Sequence, residues 1–478
     1  MLPLAITSDT LILALEFLFV IVWVGTIFVV ITENRNPVKT LAWVMVLFFI
    51  PVIGFVLYLF FGMDMRRTRI ISKRSLSQLS QRPLINFSDY AVSTPPAPYG
   101  KLVNMMRKAG LSYLLGGNRV EVYTDFPMML SSMLCSIASA KHHVHVQFYI
   151  FMDDAVGRLL RDVLIDKVRE GVKVRLLYDD VGSWMAKNRF FREMREAGVE
   201  VYPFGEVKFA ALAQRVNYRN HRKVVIVDGK IGYMGGMNVA ERYYRGVSWG
   251  RWRDTHIRID GMAVNALQMS FFVDWYYATR ELVDNPVYFP KMPPMGETVL
   301  QIVTSYPMGE WKTIMQGLLQ VICQSRQYLY IQTPYFLPTE PILMALRNAA
   351  LAGVDVRIMV PRHGDSLLAD LASHSYYKEV MTAGVKIYQY EAGYLHAKMI
   401  LADDNFVTIG STNIDFRSFE HNFEINAFIY DPKVARRMKH IYMEDLEKST
   451  RIVLSEWKER PLWNRFWESL VRLLSPLM

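Results

Sequence analysis

The stretch His221-Arg222-Lys223-Val224-Val225-Ile226-Val227-Asp228 returns later in the chain as His396-Ala397-Lys398-Met399-Ile400-Leu401-Ala402-Asp403. Both copies follow the pattern H-x-K-x-x-x-x-D. Each then leads, after a short apolar run, into a small-residue turn ending in asparagine: Gly235-Gly236-Met237-Asn238 in the first and Gly410-Ser411-Thr412-Asn413 in the second. A single copy would be weak evidence of anything. Two in register imply two imidazoles working as a pair.

Residues two apart in a strand share a face. With Lys223–Val227 read as a strand and Asp228-Gly229 as the hairpin turn before Ile231, His221 and Lys223 project together, and His396 and Lys398 repeat the geometry. The same parity sends Asp228 and Asp403 to the opposite face, where they complete the motif but read as supports. Outward from these stretches other segments recur in the same order. Gly171-Val-Lys-Val-Arg-Leu-Leu matches Gly353-Val-Asp-Val-Arg-Ile-Met, and Ala197-Gly-Val-Glu-Val-Tyr matches Ala383-Gly-Val-Lys-Ile-Tyr. Repetition in fixed order marks an internal duplication. Alternating β-branched runs and helical stretches predict α/β layers with helices on both faces of a sheet.

From about Leu111 onward these motifs resemble those of the phospholipase D superfamily. With the two apolar segments that open the chain, the whole length resembles the bacterial cardiolipin synthases. The resemblance implies two tandem phospholipase D-like α/β/α domains with pseudo-twofold symmetry, meeting at one catalytic cleft. It also implies phosphodiester chemistry. A phosphodiester needs cations and fixed donors for its non-bridging oxygens, which Lys223, Lys398, Asn238 and Asn413 would supply. It also needs a nucleophile and a proton donor. One imidazole attacks phosphorus to form a phosphohistidine, and the other protonates the departing alkoxide and later deprotonates the acceptor. The family pattern makes His221 the nucleophile and His396 the acid/base. It places orienting carboxylates at Asp254 and Glu424, paired crosswise with His396 and His221. No metal and no cofactor are called for. The implied reaction joins two phosphatidylglycerol molecules into cardiolipin and releases glycerol. The alternatives are a hydrolytic phospholipase D, transfer to another alcohol, a nuclease, and a non-catalytic scaffold for acidic lipid.

The chain has 478 residues and a formal net charge of +10, which favours an anionic partner. The apolar segments favour acidic membrane lipid over nucleic acid. Leu11–Thr32 and Leu41–Phe61 are each long and apolar enough to be expected as transmembrane helices, the second kinked at Pro51. Arg66, Arg67, Arg69, Lys73 and Arg74 then predict a cytoplasmic body in a bacterial cell membrane. The expected divisions are a membrane anchor over 1–65, a basic, proline-containing linker over 66–105, and phospholipase D-like domains over 106–292 and 293–478. Cys135 and Cys323 are too few for a disulfide framework. His142, His143 and His145 read as structural or surface residues, and Tyr149 and Tyr335, at corresponding strand ends, as core residues in preference to cleft lining. Arg242, Arg245 and Arg417 are open between phosphate contacts and solvated positions. The last stretch sets Trp463, Phe466, Trp467, Leu470 and Leu474 on one helical face, a pattern shared by a core-docked helix and a helix lying in a membrane interface, the latter preferred because two tryptophans lie near arginines.

Overall fold

The structure is a computed structural model that describes residues 8–32, 37–58, 62, 87, 91–207 and 217–477. The basic run Arg66–Arg74, most of the expected linker and residues 208–216 lie outside the described residues. The chain divides into a small helical N-terminal unit and an α/β body.

In the first unit, α1 covers Ser8–Thr32, α2 Pro37–Phe49 and α3 Pro51–Leu57. Trp23 Nε1 donates to Leu47 O at 2.6 Å, and Val30, Leu47 and Tyr58 form a small core. The segment expected to be one kinked span is two helices. Ile50 leaves the helical region (φ −133°, ψ 68°) because the Pro51 ring disfavours helical geometry in the preceding residue, while proline itself suits the first turn of a new helix. Among the described residues no helix is long and apolar enough to cross a membrane, so the two expected transmembrane helices are not shown.

The body is built on one continuous sheet whose order reports the duplication. The first half supplies β1 (Leu115–Tyr123), β2 (His143–Phe148), β3 (Lys173–Asp179), β4 (Glu200–Phe204), β5 (Val224–Val227), β6 (Ile231–Gly235), β7 (Arg251–Arg253) and β8 (His256–Asp260). The second supplies β9 (Thr298–Ser305), β10 (Tyr328–Gln332), β11 (Asp355–Pro361), β12 (Lys386–Tyr390), β13 (Gly393–Leu395), β14 (Met399–Ala402), β15 (Phe406–Gly410), β16 (Glu424–Ile429) and β17 (Ser449–Arg451), with β7 and β13 paired to each other outside the large sheet. Read outward from the antiparallel β1–β9 junction, one half runs β1-β8-β6-β5-β2-β3-β4 and the other β9-β16-β15-β14-β10-β11-β12, with β17 added at the outer edge. The two orders are the same, so the halves are related by a pseudo-twofold axis at the junction.

Strands β2-β3-β4 and β10-β11-β12 are parallel, with crossover helices between them. Every residue of β2, β5, β10, β14 and β15 is buried because both sheet faces are covered, and β5 (Val-Val-Ile-Val) is accordingly apolar throughout. One core lies under the helices of each half. A third is shared, with the helix Ala263–Thr279 packing on strands of both halves and the helix Pro432–Leu446 packing on strands of the second while Arg437 donates to Val122 O of β1. The shared core holds the two motifs in fixed relation.

Candidate active site

His221 and Lys223 lie just before β5, which begins at Val224, one residue later than the strand expected from the sequence. Here β5 runs antiparallel to β2, pairing Val224 with Gln147. The histidine therefore sits beside the C-terminal ends of the parallel strands, where sites in open α/β sheets form. The backbone is clamped to the other half: Asn220 bridges Phe423, and His221 N donates to Phe423 O at 3.0 Å. In the second half His396 N donates to Arg253 O at 2.7 Å, beside the short parallel pairing of β13 with β7. Each motif is thus built partly from the opposite half.

The carboxylates continue the exchange. His221 Nδ1 lies 3.0 and 3.1 Å from the two oxygens of Glu424, and His396 Nδ1 lies 2.6 Å from Asp254 Oδ2. Glu424 opens β16 and Asp254 separates β7 from β8, so the structure brings imidazoles and carboxylates together in the crossed sense. Gly236 permits the approach on one side, since a Cβ there would overlap the Asp254 carboxylate. Glu424 also accepts from Ser411 Oγ and from Asn422 Nδ2, and Asp254 from Thr255 N at 2.7 Å. With each Nδ1–H given to a carboxylate, each Nε2 keeps its lone pair.

Burial sets the charge states. It drives His221 below its ordinary pKa, partly offset by Glu424, and lowers His396 to about 4, partly offset by Asp254. Both imidazoles are therefore neutral at neutral pH in the free protein. Burial also lowers Lys398 to about 8 and Lys223 well below its usual value. Burial alone would raise Glu424 and Asp254, but adjacent lysine and histidine hold both below the ordinary carboxylate range. Each lysine feels both carboxylates, His221 feels Lys398 and His396 feels Lys223, so the charges of both halves act across one cleft. A bound phosphate anion would raise both lysines and both histidines.

The remaining expected residues divide. Lys223 Nζ donates to His221 O at 2.5 Å, and Lys398 Nζ donates to His396 O. Asn238 accepts from Ile150 N and donates to Tyr243 OH at 2.6 Å, while Asn413 donates to Asp415 at 3.0 Å. An amide NH2 carries two hydrogens, so each asparagine keeps one donor beyond these bonds. Asp228 and Asp403, grouped with the catalytic set by the motif, are placed at the far ends of β5 and β14 from the histidines. Asp228 accepts from the backbone of Lys141, His142 and His143, and Asp403 from that of Arg326, Gln327 and Tyr328. Each fixes the start of a neighbouring strand, as parity indicated.

Tyr149, expected in the core, is half-buried with its ring edge-on to His221 at 5.0 Å and the Lys223 ammonium 5.4 Å from its centroid. Tyr335 is also half-buried and donates to Asp365 at 2.7 Å. Arg242 lies 5.4 Å over Trp252, and Arg245 pairs with Glu241. His143 and His145 are buried against Gln268.

Sequence reasoning missed the ion pairs behind the site. Arg222 makes contacts of 2.8 and 2.9 Å to Asp274, donates to Ser270 Oγ, and reaches the Glu424 and Ser305 carbonyls of the other half. Arg253 pairs with Asp445 at 2.8 Å, and Arg219 with Asp179 at 3.4 Å. A usable signal existed in Asp274, a single acid inside Phe271-Phe272-Val273-Asp274-Trp275, since an acid in so apolar a helix requires a partner.

Comparison with known proteins agrees with this geometry. The family described as cardiolipin synthase, PLD-like domain, matches residues 133–249 and 318–446, and the phospholipase D-nuclease N-terminal family matches 21–62. The chain is 40% identical over 475 residues to the major cardiolipin synthase ClsA of Bacillus subtilis (strain 168), covering 97% of this chain and 98% of that one. It is 38% identical over 458 residues to a cardiolipin synthase of Geobacillus kaustophilus (strain HTA426), covering 94% and 91%. Among solved structures, phosphatidylserine synthase of Haemophilus influenzae Rd KW20 aligns with a TM-score of 0.60 over 79% of this chain and 98% of that one. Its 13% identity makes this a likeness of fold. The chain, with its duplicated phospholipase D-like body, belongs to the cardiolipin synthase family.

Proposed function

We propose that the protein is a phosphatidyltransferase that forms cardiolipin and glycerol from two phosphatidylglycerol molecules. The observation that carries this reading is the crossed pair, His221 on Glu424 and His396 on Asp254, with a buried lysine beside each imidazole. His221 Nε2 attacks the phosphorus of the first lipid. The bond to glycerol breaks, His396 in its protonated form donates to the leaving alkoxide, and phosphatidyl-His221 remains. His396, now neutral, takes the proton from the terminal hydroxyl of a second phosphatidylglycerol. That oxygen displaces His221 and regenerates both histidines. Lys223, Lys398 and the spare amide hydrogens of Asn238 and Asn413 meet the non-bridging oxygens. The incoming anion raises His396 toward the protonated form that the first step needs. One phosphodiester replaces another, so the reaction runs close to equilibrium and added glycerol drives it back.

The helical unit acts as the anchor of this enzyme in the bacterial membrane, with the body on the cytoplasmic side. Its support is the apolar composition of 11–32 and 41–61, the exposed Phe17, Phe28, Ile31, Phe48 and Phe49, and the basic residues that follow.

The test is product analysis by mass spectrometry after purified protein is incubated with phosphatidylglycerol vesicles and a chelator. Cardiolipin and glycerol in equal amounts are expected. Phosphatidic acid as the main product would make the protein a hydrolase, and a strict metal requirement would sink the histidine mechanism.

A further inference from the structure

The C-terminal helix Leu462–Arg472 is amphipathic, but it is mounted with its charged side inward. Glu468 is 4% exposed and receives both terminal nitrogens of Arg460, at 2.6 and 2.9 Å. Arg472 donates to Glu379 at 3.1 Å and lies 4.1 Å over the ring of Tyr376. Val471 is buried beside them. The apolar side faces away from the body: Trp463 is 64% and Phe466 54% exposed, and Trp467 completes a mutual aromatic cluster with centroids 5.5 to 5.7 Å apart. A helix docked only to serve the core would bury this side and solvate the other. An outward cluster of this kind marks an interaction surface.

Its place relative to the cleft indicates the occupant. Glu468 lies 3.7 Å from His374 and Arg472 reaches Glu379, so this helix and Leu367–Thr382 run in the same direction. Trp463 is therefore level with Leu367 and Leu368, both exposed, which follow within three residues of Asp365, the partner of Tyr335 at the second-half rim. In the first half the loop after β3 likewise exposes Trp184. Apolar residues thus extend from the C-terminal helix to the mouth of the site, on a chain of net charge +10. Tryptophan and phenylalanine beside arginine suit the boundary between headgroups and acyl chains.

We infer that the outward face of the helix Leu462–Arg472, with Leu367 and Leu368, lies in the surface of an anionic phospholipid bilayer and presents the cleft mouth to its lipids. The inference rests on the proposed function, because it is a lipid substrate that brings a bilayer to this mouth. It adds a second attachment to any made by the N-terminal unit.

The test uses the full chain carrying Cys135→Ser and Cys323→Ser, with a nitroxide on Phe466→Cys or, as control, on the exposed Met344→Cys of the helix Glu340–Leu351. In vesicles of phosphatidylcholine and phosphatidylglycerol, the label at 466 should be open to oxygen and shielded from a water-soluble nickel chelate, while the label at 344 meets the chelate. A label at 466 that meets the chelate as freely as the one at 344 overturns the inference. So does one shielded from both reagents in a protein of doubled mass, which would assign the face to a second copy. Trp463→Glu with Phe466→Glu should lower turnover of vesicle phosphatidylglycerol by about tenfold or more and leave turnover of a dissolved short-chain phosphatidylglycerol unchanged. Equal loss on both substrates would also overturn it, since the helix would then serve the body alone. If the label enters lipid while the unsubstituted enzyme makes no cardiolipin, the proposed reaction fails and the docking surface stands.

Discussion

His221 leans on a glutamate that is itself held by Ser411 and Asn422, while His396 leans on an aspartate fixed by the next backbone amide. Behind these pairs the halves differ again. The helix acids Asp274 and Asp445 occupy equivalent positions, each bonded by the glutamine that ends or nearly ends the matching strand, Gln147 and Gln332. Asp274 is covered by Arg222 from its own motif. The corresponding position of the second motif is Ala397, and Asp445 is covered instead by Arg253, reaching over from the first half. Duplication supplied two similar folds, and divergence made each depend on the other for a carboxylate, a backbone clamp or a counterion.

The most severe test of that dependence is removal of one imidazole. His221→Ala and His396→Ala should each lower turnover by about 10³-fold or more, because groups acting as a unit are not additive. Two independent sites would instead leave about half the rate after either change. Acid-free quenching with labelled lipid should find the phosphatidyl group on His221; recovery on His396 would reverse the assigned roles.

The crossed carboxylates come next. Glu424→Gln and Asp254→Asn should each lower kcat by about 10- to 100-fold with KM little changed, the usual effect of losing a group that orients a reacting imidazole. Both remove an anion that holds a histidine pKa up, so the imidazole of the opposite half should titrate lower, as NMR of labelled histidine would read. A shift confined to the histidine of the same half would break the crossed pairing.

Stability should divide along the arginines. Arg222→Met leaves Asp274 buried without its cation and should cost about 3–5 kcal/mol in urea unfolding, most of it recovered by adding Asp274→Leu. Arg253→Met should also destabilise, but through Asp445 of the second half. If Arg253→Met with Asp445→Leu recovers nothing, the bonds from Arg253 to the Asp254 carbonyl and to Thr255 outweigh the ion pair.

The pH dependence is set by His396 and the buried Lys398 together. Lys398, brought to about 8 by burial, is charged below that value and neutral above it. Since kcat/KM reports the free enzyme, in which His396 must be protonated and Lys398 charged, it should fall about tenfold per pH unit above about 4 and about a hundredfold per unit above about 8, and Lys398→Met should remove the added steepness above 8. His396, at about 4 in the fold and 6.5 as its ordinary value, also links to stability. Between these values the unfolded chain binds the extra proton, so stability falls as pH drops from 6.5 to 4 and is unaffected by this group above that window.

Much of this was legible in the sequence for a physical reason. The motif residues are consecutive, so their strand parity and the duplication could be read along the chain, including the supporting role of Asp228 and Asp403. The ion pairs were not legible, because Arg222 meets Asp274 and Arg253 meets Asp445 only after distant segments pack. The break at Ile50 was half visible: Pro51 announced a kink, but whether the helix bends or restarts depends on the conformation of the residue before it. Tyr149 stands at the end of an apolar strand, a position that fits core packing or a cleft wall, and only the position of His221 beside that strand end decides for the site.

The smallest difference lies in the two hairpin turns. Asp228 and Gly229 have φ of 53° and 65°, and Asp403 and Asp404 repeat this at 50° and 56°. At Gly229 an added Cβ would lie 2.6 Å from Pro290 Cδ and 2.7 Å from Tyr288 O, so Gly229→Ala should destabilise by about 1–3 kcal/mol. The second turn has room for a side chain and uses it: Tyr328 OH donates to Asp404 Oδ1 at 2.8 Å, and Lys439 lies 3.0 Å away. Asp404→Gly would lose those bonds, yet the ion pair is 41% exposed on the acid side and glycine removes the strain of positive φ. The opposed effects should leave stability within about 1 kcal/mol of the parent. A loss as large as that of Gly229→Ala would mean that the Asp404 contacts, and not backbone conformation, hold the second hairpin in register.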